Sequence, residues 1–226
     1  MTNGLGMLSS RDNVLYLPFR EGSGSTAYDY SGEGNDGTIV GATYKKIVDG
    51  GYALDFDGSS DYVSSNSVSN NDNSGSIAFW VKPDYVSSVN DILGWGATNS
   101  NNLYVRLRTG KTNDCIELLF YDESVLNKIT GSTSLSITEF QHIVVISTGT
   151  EYKMFINGSE ETITVNSGSN DGLWTNDISL NTFTIGGVRR DDNHLYFNGK
   201  IAYPMIFSRA LSLPEIQAIY RATYIL

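Results

Sequence analysis

Short runs in which apolar and polar residues alternate fill most of the 226-residue chain, and turn-forming residues separate them. Alternation with a period of two turns one side of a strand toward a core and the other toward solvent, so the pattern predicts an all-β protein. The runs predicted as strands are VLYLPF (14–19), TIVGATY (38–44), YALDFDG (52–58), DYVSS (61–65), SIAFWVKP (76–83), DILGW (91–95), NLYVRLR (102–108), CIELLFYD (115–122), FQHIVVIST (140–148), TFTIGG (182–187) and YFNGKIAYPMIFS (196–208).

Two of the later runs predict more than a strand. The segment 140–148 is apolar at nearly every position, which is typical of a strand buried on both faces. Residues 151–165 alternate on both sides of Asn157-Gly158, the dipeptide preferred in two-residue hairpin turns, and this indicates a β-hairpin. The same turn explains the glycosylation pattern Asn157-Gly158-Ser159.

The stretch SLPEIQAIY predicts a short helix near the C-terminus. Ser212 can cap its first turn, and Glu215 three residues later completes a capping box. Ile216, Ile219 and Tyr220 then share one face, which can lie on a sheet.

No linker or repeat divides the chain. The predicted fold is therefore a single all-β domain over 1–226, a two-sheet antiparallel β-sandwich with one short C-terminal helix. Its core spans about 14–222, and residues 1–13 form an N-terminal arm.

Composition limits the partners. The net charge of −10 and the absence of a basic run exclude nucleic acid, because a phosphate backbone would be repelled. No segment is apolar enough to insert into a membrane, and we recognise no export signal. The single cysteine, Cys115, rules out an intrachain disulfide, and its apolar neighbours predict a buried, inert thiol.

Residues 32–37 read G-E-G-N-D-G, a literal match to a dinucleotide-binding fingerprint. Such a loop needs a helix after it to receive the pyrophosphate, and the β-branched segment 38–40 follows instead. An EF-hand counted from Asp29 would place Val40 where a bidentate Glu is required. Two interpretations stay open. Asp29 and Asn35 bond to amides of a glycine turn, or they hold a cation together with a turn carbonyl.

The order of several motifs resembles that of the laminin G-like, concanavalin A-like jelly-roll domains. The motifs are D-Y-S-G-E-G-N-D-G-T (29–38), A-L-D-F-D-G-S-S-D-Y-V (53–63), S-I-A-F-W-V-K-P (76–83), F-Q-H-I-V-V (140–145), Y-K-M-F-I-N-G (152–158) and F-N-G-K-I-A-Y-P-M-I-F-S-R-A-L-S-L-P-E-I (197–216). The resemblance covers roughly residues 14 to 222, nearly the whole chain.

This resemblance implies two stacked antiparallel sheets of six or seven strands each. It also implies a structural Ca²⁺ near the opening glycine loop, with Asp29 and Asn35 as its ligands. Ala202 departs from the family pattern, because an acidic residue usually follows the isoleucine at this point of the closing strand.

Some members of this superfamily are glycoside hydrolases or polysaccharide lyases. Retaining hydrolysis needs two carboxylates about 5 Å apart across a cleft, which alternate residues of one strand could supply. The pairs Asp122-Glu123 and Glu160-Glu161 are adjacent instead, and His142 occupies a structural family position. We therefore expect no catalytic residues, and a polysaccharide-degrading enzyme is the alternative.

Ligand contacts are predicted on one strand and near the loops. Tyr104, Arg106 and Arg108 alternate and so share a face, and two arginines predict that this face is exposed. Three aromatic residues near predicted loops, and three residues of the polar loop RRDDNH (189–194), extend this set. They are Trp95, Trp174 and Tyr85, and Arg189, Asp191 and His194. The loop forms a rim that hydrogen-bonds sugar hydroxyls or a protein partner, or it is a solvated loop with local salt bridges.

The sequence thus predicts a non-catalytic recognition module that binds a glycan or a surface. Its predicted partners are a carbohydrate or a protein assembly such as a viral shell. Its predicted location is extracellular or on a virion, as a decoration or fibre protein. Capsid decoration would make it a homo-oligomer or bring it against a shell protein, whereas a free lectin would be a monomer.

Overall fold

The computed structural model describes residues 12–65, 68, 72–86, 89–110, 113–189 and 195–224 of the chain. Its strands are β1 (Asn13–Tyr16), β2 (Thr26–Ala27), β3 (Gly37–Val40), β4 (Thr43–Lys46), β5 (Tyr52–Asp57), β6 (Tyr62–Ser65), β7 (Gly75–Pro83), β8 (Asn90–Ala97), β9 (Ser100–Thr109), β10 (Cys115–Asp122), β11 (Leu126–Ser134), β12 (Gln141–Ser147), β13 (Tyr152–Ile156), β14 (Ser159–Glu160), β15 (Thr164–Ser167), β16 (Thr182–Ile185), β17 (Gly187–Val188), β18 (Leu195–Tyr196) and β19 (Asn198–Phe207). The helix α1 (Leu213–Ala222) follows the last strand, and 3₁₀ turns occupy Val48–Gly50 and Thr175–Asp177.

The strands form two antiparallel sheets and a two-stranded ribbon. Sheet A has the order β14-β13-β12-β7-β19-β5-β4, with β1 also paired to β19. Sheet B has the order β15-β11-β10-β9-β8-β16-β6-β3-β2, and β17 pairs with β18. The predicted β-sandwich is confirmed. In the described part of the chain its sheets have eight and nine strands, more than the six or seven that the resemblance implies.

The main core lies between the two sheets and is supplied by alternate residues of each strand. On β7, Ile77, Phe79 and Val81 belong to this core, and each is at most 1% exposed. The intervening Ala78 and Trp80 belong to clusters on the opposite, outer face of sheet A. β12 divides its residues in the same way, which confirms that this strand is buried on both faces.

The start of α1 is fixed by side chains that the sequence predicts. Ser212 and Glu215 form the expected capping box, which satisfies amides of the first helical turn. Arg209 reaches the same carboxylate, with Nη2 2.6 Å from Oε1 of Glu215. Hydrogen bonding from Arg209 lowers the pKa of Glu215 to about 2.

The apolar side of α1 covers part of the outer face of sheet A. Ile216 and Ile219 are buried there, as predicted. Tyr220 stacks on Trp80 with 5.5 Å between ring centroids, and the Trp80 indole N–H donates to the Thr223 hydroxyl at 2.8 Å. This helix is short, and no helix in the described part of the chain is long and apolar enough to cross a bilayer.

Positive φ angles mark the sharpest turns. Gly41 has φ 76° and separates β3 in sheet B from β4 in sheet A, so the prediction of one continuous strand over 38–44 is wrong. Asn157 and Gly158, with φ 52° and 79°, form the predicted hairpin turn between β13 and β14. The return strand β14 is short, because the chain then crosses to sheet B as β15.

Each sheet ends in strands of two to four residues. The edges of sheet A are β14 and β4, and those of sheet B are β15 and β2. Lys45 and Lys46 lie on β4 and are exposed. Short edge strands that carry lysine offer little backbone to an incoming strand.

Candidate functional site

The predicted ligand-binding strand β9 lies in the middle of sheet B, and its polar residues line the outer face. Val105 and Leu107 point into the main core, so Tyr104, Arg106 and Arg108 lie on the other side, as the alternation predicts. Across the ladders Arg106 is opposite Leu119, and Arg108 is opposite both Asp91 and Glu117. We call this outer-face set the polar strip, which consists of Asp91, Tyr104, Arg106, Arg108, Glu117, Tyr121 and Lys128.

Every cation in the polar strip has a carboxylate partner. Nη1 of Arg106 lies 2.7 Å from Oδ2 of Asp91. Glu117 binds two cations at once, with Nε of Arg108 at 2.8 Å and Nζ of Lys128 at 2.7 Å. The Arg106 guanidinium also lies over the Tyr104 ring, 4.5 Å from its centroid. Paired in this way, the charged groups hold one another in fixed positions.

The prediction that this face is openly exposed is wrong at two of its three predicted residues. Tyr104 and Arg106 are 6% and 5% exposed. Tyr104 and Leu119 pack with Val188 of β17, so the ribbon of β17 and β18 covers this end of the strip. Arg106 tolerates burial because Asp91 neutralises it, although its Nε has no acceptor among the described residues.

The other end of the polar strip is accessible. The side chains of Arg108 and Lys128 are 15% and 28% exposed. Tyr121 is half-buried, and its ring packs edge-on against Tyr104 with 5.5 Å between centroids. The accessible end therefore combines two cations with the carboxylate of Glu117, whereas Tyr121 is opposite Tyr104 toward the covered end.

Two of the three predicted aromatic contacts belong to the core instead. Trp95 on β8 and Trp174 are each 2% exposed and pack edge-on, with 6.1 Å between centroids. The ring centroid of Phe183 lies 4.8 Å from that of Trp95. The expectation that these tryptophans lie at loop surfaces is wrong, because both fill space between the sheets. Tyr85 is 42% exposed and stays accessible.

The polar loop after β17 is described only at its start. The Arg189 guanidinium lies 5.4 Å from the centroid of the Tyr62 ring, a cation–π contact. Asp191 and His194 lie outside the described residues. The N-terminal arm predicted at 1–13 also lies outside them, except for residues 12 and 13.

The opening glycine loop has the geometry of a turn. Asp29 accepts hydrogen bonds from the Tyr16 and Ser31 amides at one oxygen, and from the Ser31 hydroxyl and the Asn35 amide at the other. The Asn35 side-chain amide donates to the Val14 carbonyl at 2.8 Å. Four donors already occupy the carboxylate, so these residues do not fit the calcium ligands that the resemblance implies. β3 follows the loop, in agreement with the prediction that no phosphate-binding helix does.

The atypical residue of the closing strand serves packing. Ala202 is fully buried and contacts Trp80 beneath α1. No group of three or more His, Cys, Asp or Glu residues suited to a metal ion occurs among the residues that the structure describes.

Several other titratable side chains are buried or hydrogen-bonded within the fold. His142 is 1% exposed beside Trp80, and burial lowers its pKa to about 3. Cys115 is buried as predicted, and burial raises the pKa of its thiol. Although burial opposes it, hydrogen bonding from Val125 and Ser124 lowers the pKa of Asp122. Glu161 accepts bonds from the amides and hydroxyls of residues 132 and 133.

Sequence reasoning missed a pocket on the outer face of sheet A, which we call the lysine pocket. It has a volume of about 440 Å³, and four lysines, Lys45, Lys46, Lys82 and Lys200, contribute to its wall. These residues come from three strands far apart in the chain. No local sequence motif predicts that these lysines are neighbours, because only the pairing of the strands brings them together.

The β-sandwich fold is consistent with the protein family whose model matches this sequence. The model of the Laminin_G_3 family, in the concanavalin A-like lectin/glucanases superfamily, matches residues 57–217, more than half of the chain. The chain belongs to this family. A search of the curated proteins found no match.

Solved structures share the family fold at low sequence identity. Domain 4 of AbnA, a GH43 extracellular arabinanase from Geobacillus stearothermophilus solved with arabinotriose, has 20% identity and a TM-score of 0.69, with 92% of this chain and 98% of that chain covered. The binding domain of Paraclostridial Mosquitocidal Protein 1 has 13% identity and a TM-score of 0.69, and the match covers 93% of this chain and 52% of that one. The Ruminococcus gnavus IT-sialidase CBM40 bound to alpha2,3 sialyllactose has 15% identity and a TM-score of 0.58, with 67% and 84% covered. These similarities establish the fold.

Proposed function

We propose that this domain is a non-catalytic carbohydrate-binding module, and that its ligand lies along the polar strip from its accessible end. The observation that carries the proposal is the way Glu117 holds Arg108 and Lys128 in place at that end. Sugar hydroxyls are both donors and acceptors, so fixed donors and a fixed acceptor suit them. Farther along β10, opposite Tyr104, the half-buried Tyr121 ring offers a surface for the C–H groups of an oligosaccharide that follows the strip.

Arg108 keeps donor capacity for a ligand. The guanidinium has five N–H donors, and its Nε–H is the one that Glu117 binds at 2.8 Å. Fixing one edge of the group orients the terminal nitrogens and lowers the entropy lost when a ligand binds.

The roles of the carboxylates favour binding over catalysis. A glycosidase acid needs a raised pKa and an open position beside the scissile bond. Asp91 is buried against Arg106, and Glu117 is engaged by two cations. Asp122, the next carboxylate on β10, has a lowered pKa and accepts the amides of a turn.

Similar domains support carbohydrate as the ligand class. The arabinanase domain was solved with arabinotriose and the sialidase module with sialyllactose. The first comes from an extracellular enzyme, which supports a location outside the cell for this module. Display on a virion, and assembly with a shell protein, stay predictions from the sequence.

Binding to neutral oligosaccharides tests the proposal. An array of arabino-, xylo- and cello-oligosaccharides would be screened, and calorimetry would then compare the wild type with Arg108→Ala and Tyr121→Ala. Loss of a charge-assisted bond or a stacking ring weakens binding about tenfold or more. Lys153→Ala, at a partly exposed residue of β13 in sheet A, is the matched control and should bind as the wild type does.

Two results would contradict the proposal. Wild-type affinity in both polar-strip variants would place the ligand elsewhere. Release of reducing sugars from the bound oligosaccharide would support the alternative of a polysaccharide-degrading enzyme.

A further inference from the structure

The lysine pocket lies on the other sheet from the polar strip, beside the part of sheet A that α1 covers. Its volume of about 440 Å³ falls within the range of about 300–1,000 Å³ that is usual for small-ligand sites. Ile47 and Phe140 supply apolar wall, and Phe140 also packs with the Trp80 cluster. An apolar wall with a few convergent charges is the general form of a small-ligand site.

Lysine is concentrated here to an unusual degree. Four of the seven lysines of the chain line this one pocket, although the net charge of the chain is −10. Among the described side chains that line the pocket, Glu139, which is exposed, is the acidic one. This wall therefore carries more basic than acidic side chains, whereas the chain as a whole is acidic.

Two of these lysines lie directly opposite one another on neighbouring strands. Lys200 of β19 is opposite Lys82 of β7 on one side and Asp55 of β5 on the other. Like charges directly opposite one another are unfavourable in a sheet, so a ligand anion beside Lys82 would relieve the repulsion between the two lysines.

The carboxylates nearby satisfy only part of this charge. Nζ of Lys200 lies 3.0 Å from Asp55 and 2.9 Å from Asp84, and Lys45 lies 3.6 Å from Asp55. Burial alone would lower the pKa of Lys200, but hydrogen bonds to Asp84 and Asp55 outweigh it and raise that pKa. Lys82 and Lys46 make no ion pair with any residue that the structure describes.

We propose that the lysine pocket binds an acidic sugar, a single sugar ring that carries a carboxylate. The carboxylate contacts Lys82, and the C–H face of the ring lies on Ile47 and Phe140. A ring hydroxyl donates to the carboxylate of Glu139, which also lines the pocket. A long polyanion would be repelled by the rest of the molecule, so a short acidic saccharide or a terminal acidic residue fits better.

A pair of nearly identical sugars provides the test. D-glucuronate and D-glucose share the same ring and differ only in the carboxylate at C6. Calorimetric titration of the wild type should show saturable binding of glucuronate at least tenfold tighter than that of glucose, because one charge-assisted contact contributes about this factor. The glucuronate affinity should also fall as NaCl is added.

Variants assign the binding to the pocket. Lys82→Gln should weaken glucuronate binding about tenfold, and Lys82→Arg, which keeps the charge, should retain most of it. Lys153→Gln, at a partly exposed lysine on β13 that pairs with Glu151, should have no effect. Lys82→Gln should not lower Tm, because it removes the opposition to Lys200. Loss of binding with unchanged or higher Tm separates a ligand contact from a folding defect.

Three outcomes would overturn this proposal. The first is equal affinity for glucose and glucuronate, and the second is wild-type glucuronate binding by Lys82→Gln. The third is competition by inorganic sulfate with the same affinity as glucuronate, which would identify a bare anion site. The neutral-sugar proposal for the polar strip is independent, because its variants Arg108→Ala and Tyr121→Ala lie on sheet B and leave the lysine pocket unchanged.

Discussion

Arg106 and Asp91 form an ion pair at 2.7 Å in which neither side chain is more than 6% exposed. Taking two charges out of water is unfavourable, and their attraction compensates only while both are present. Each of the two side chains therefore depends on the charge of the other to remain buried, and the pair links β8 to β9.

Removal of one partner should cost more than removal of both. Arg106→Leu leaves Asp91 charged and buried, and we expect a loss of about 3–5 kcal/mol in the free energy of unfolding. The double variant Arg106→Leu/Asp91→Leu should be more stable than the single variant, because no buried charge remains. Urea unfolding measures both, with Lys153→Ala as the surface control. A double variant less stable than Arg106→Leu would show that the pair is not the main interaction of either residue.

His142 should make the fold sensitive to acid. Burial lowers its pKa to about 3, whereas an unfolded histidine titrates near about 6.5. Between these values the unfolded state binds more protons than the folded state, so stability falls as pH falls through this window. The slope is at most about 1.4 kcal/mol per pH unit.

The variant His142→Phe removes this proton uptake and keeps an aromatic ring beside Trp80. Between about pH 7 and about pH 5 the wild type should lose about 2 kcal/mol more than the variant. Urea unfolding at the two pH values gives the comparison. The Glu215 carboxylate also loses its stabilising effect as pH falls from its ordinary pKa toward about 2. Because Glu215 is present in both proteins, its contribution cancels when their stabilities are compared. Parallel pH profiles would refute this role for His142.

Gly41 and Gly34 have the same φ of 76° and different surroundings, so alanine at each separates backbone strain from steric clash. A Cβ at Gly34 meets no atom within 4 Å, and Gly34→Ala should cost about 1 kcal/mol for its left-handed backbone alone. A Cβ at Gly41 would lie 1.9 Å from Oδ1 of Asp61. Gly41→Ala should therefore cost about 1–3 kcal/mol more, measured as the difference in unfolding free energy. Equal losses would mean that Asp61 moves aside freely.

Calcium should leave the stability of the fold unchanged, because the Asp29 carboxylate already accepts four hydrogen bonds from protein groups. An ion present at about 100 times its Kd would add about 2.7 kcal/mol and raise Tm by several degrees. We expect the same Tm in excess Ca²⁺ and in EDTA, by scanning calorimetry. Asp29→Ala should lower Tm in both. A Tm that rises with Ca²⁺ in the wild type and not in Asp29→Ala would restore the calcium interpretation.

Local patterns predicted the elements well and the exposure of charged residues poorly. The turn at Asn157-Gly158 and the cap formed by Ser212 depend on neighbouring residues only, so the sequence contains the information needed. The alternation of Tyr104, Arg106 and Arg108 likewise predicted one shared face. It could not show that Asp91, on another strand, neutralises Arg106 and allows its burial.

The same limit applies to the lysine pocket. Lys82 and Lys200 are separated by more than half of the chain, and only the pairing of β7 with β19 places them opposite one another. Trp95 illustrates the reverse error. A large aromatic residue at the end of a predicted strand, beside a predicted loop, suggested a surface contact, and the side chain instead fills space between the two sheets.

The short edge strands affect how closely packed copies of this domain would associate. β14 and β2 have two residues each, and β4 carries two exposed lysines. The described sheet edges therefore offer a neighbouring copy little backbone for strand pairing, even when many copies are tethered side by side. If the proposed sites bind sugar, an array of such modules would combine many weak contacts into firm attachment, without aggregation through its own backbone.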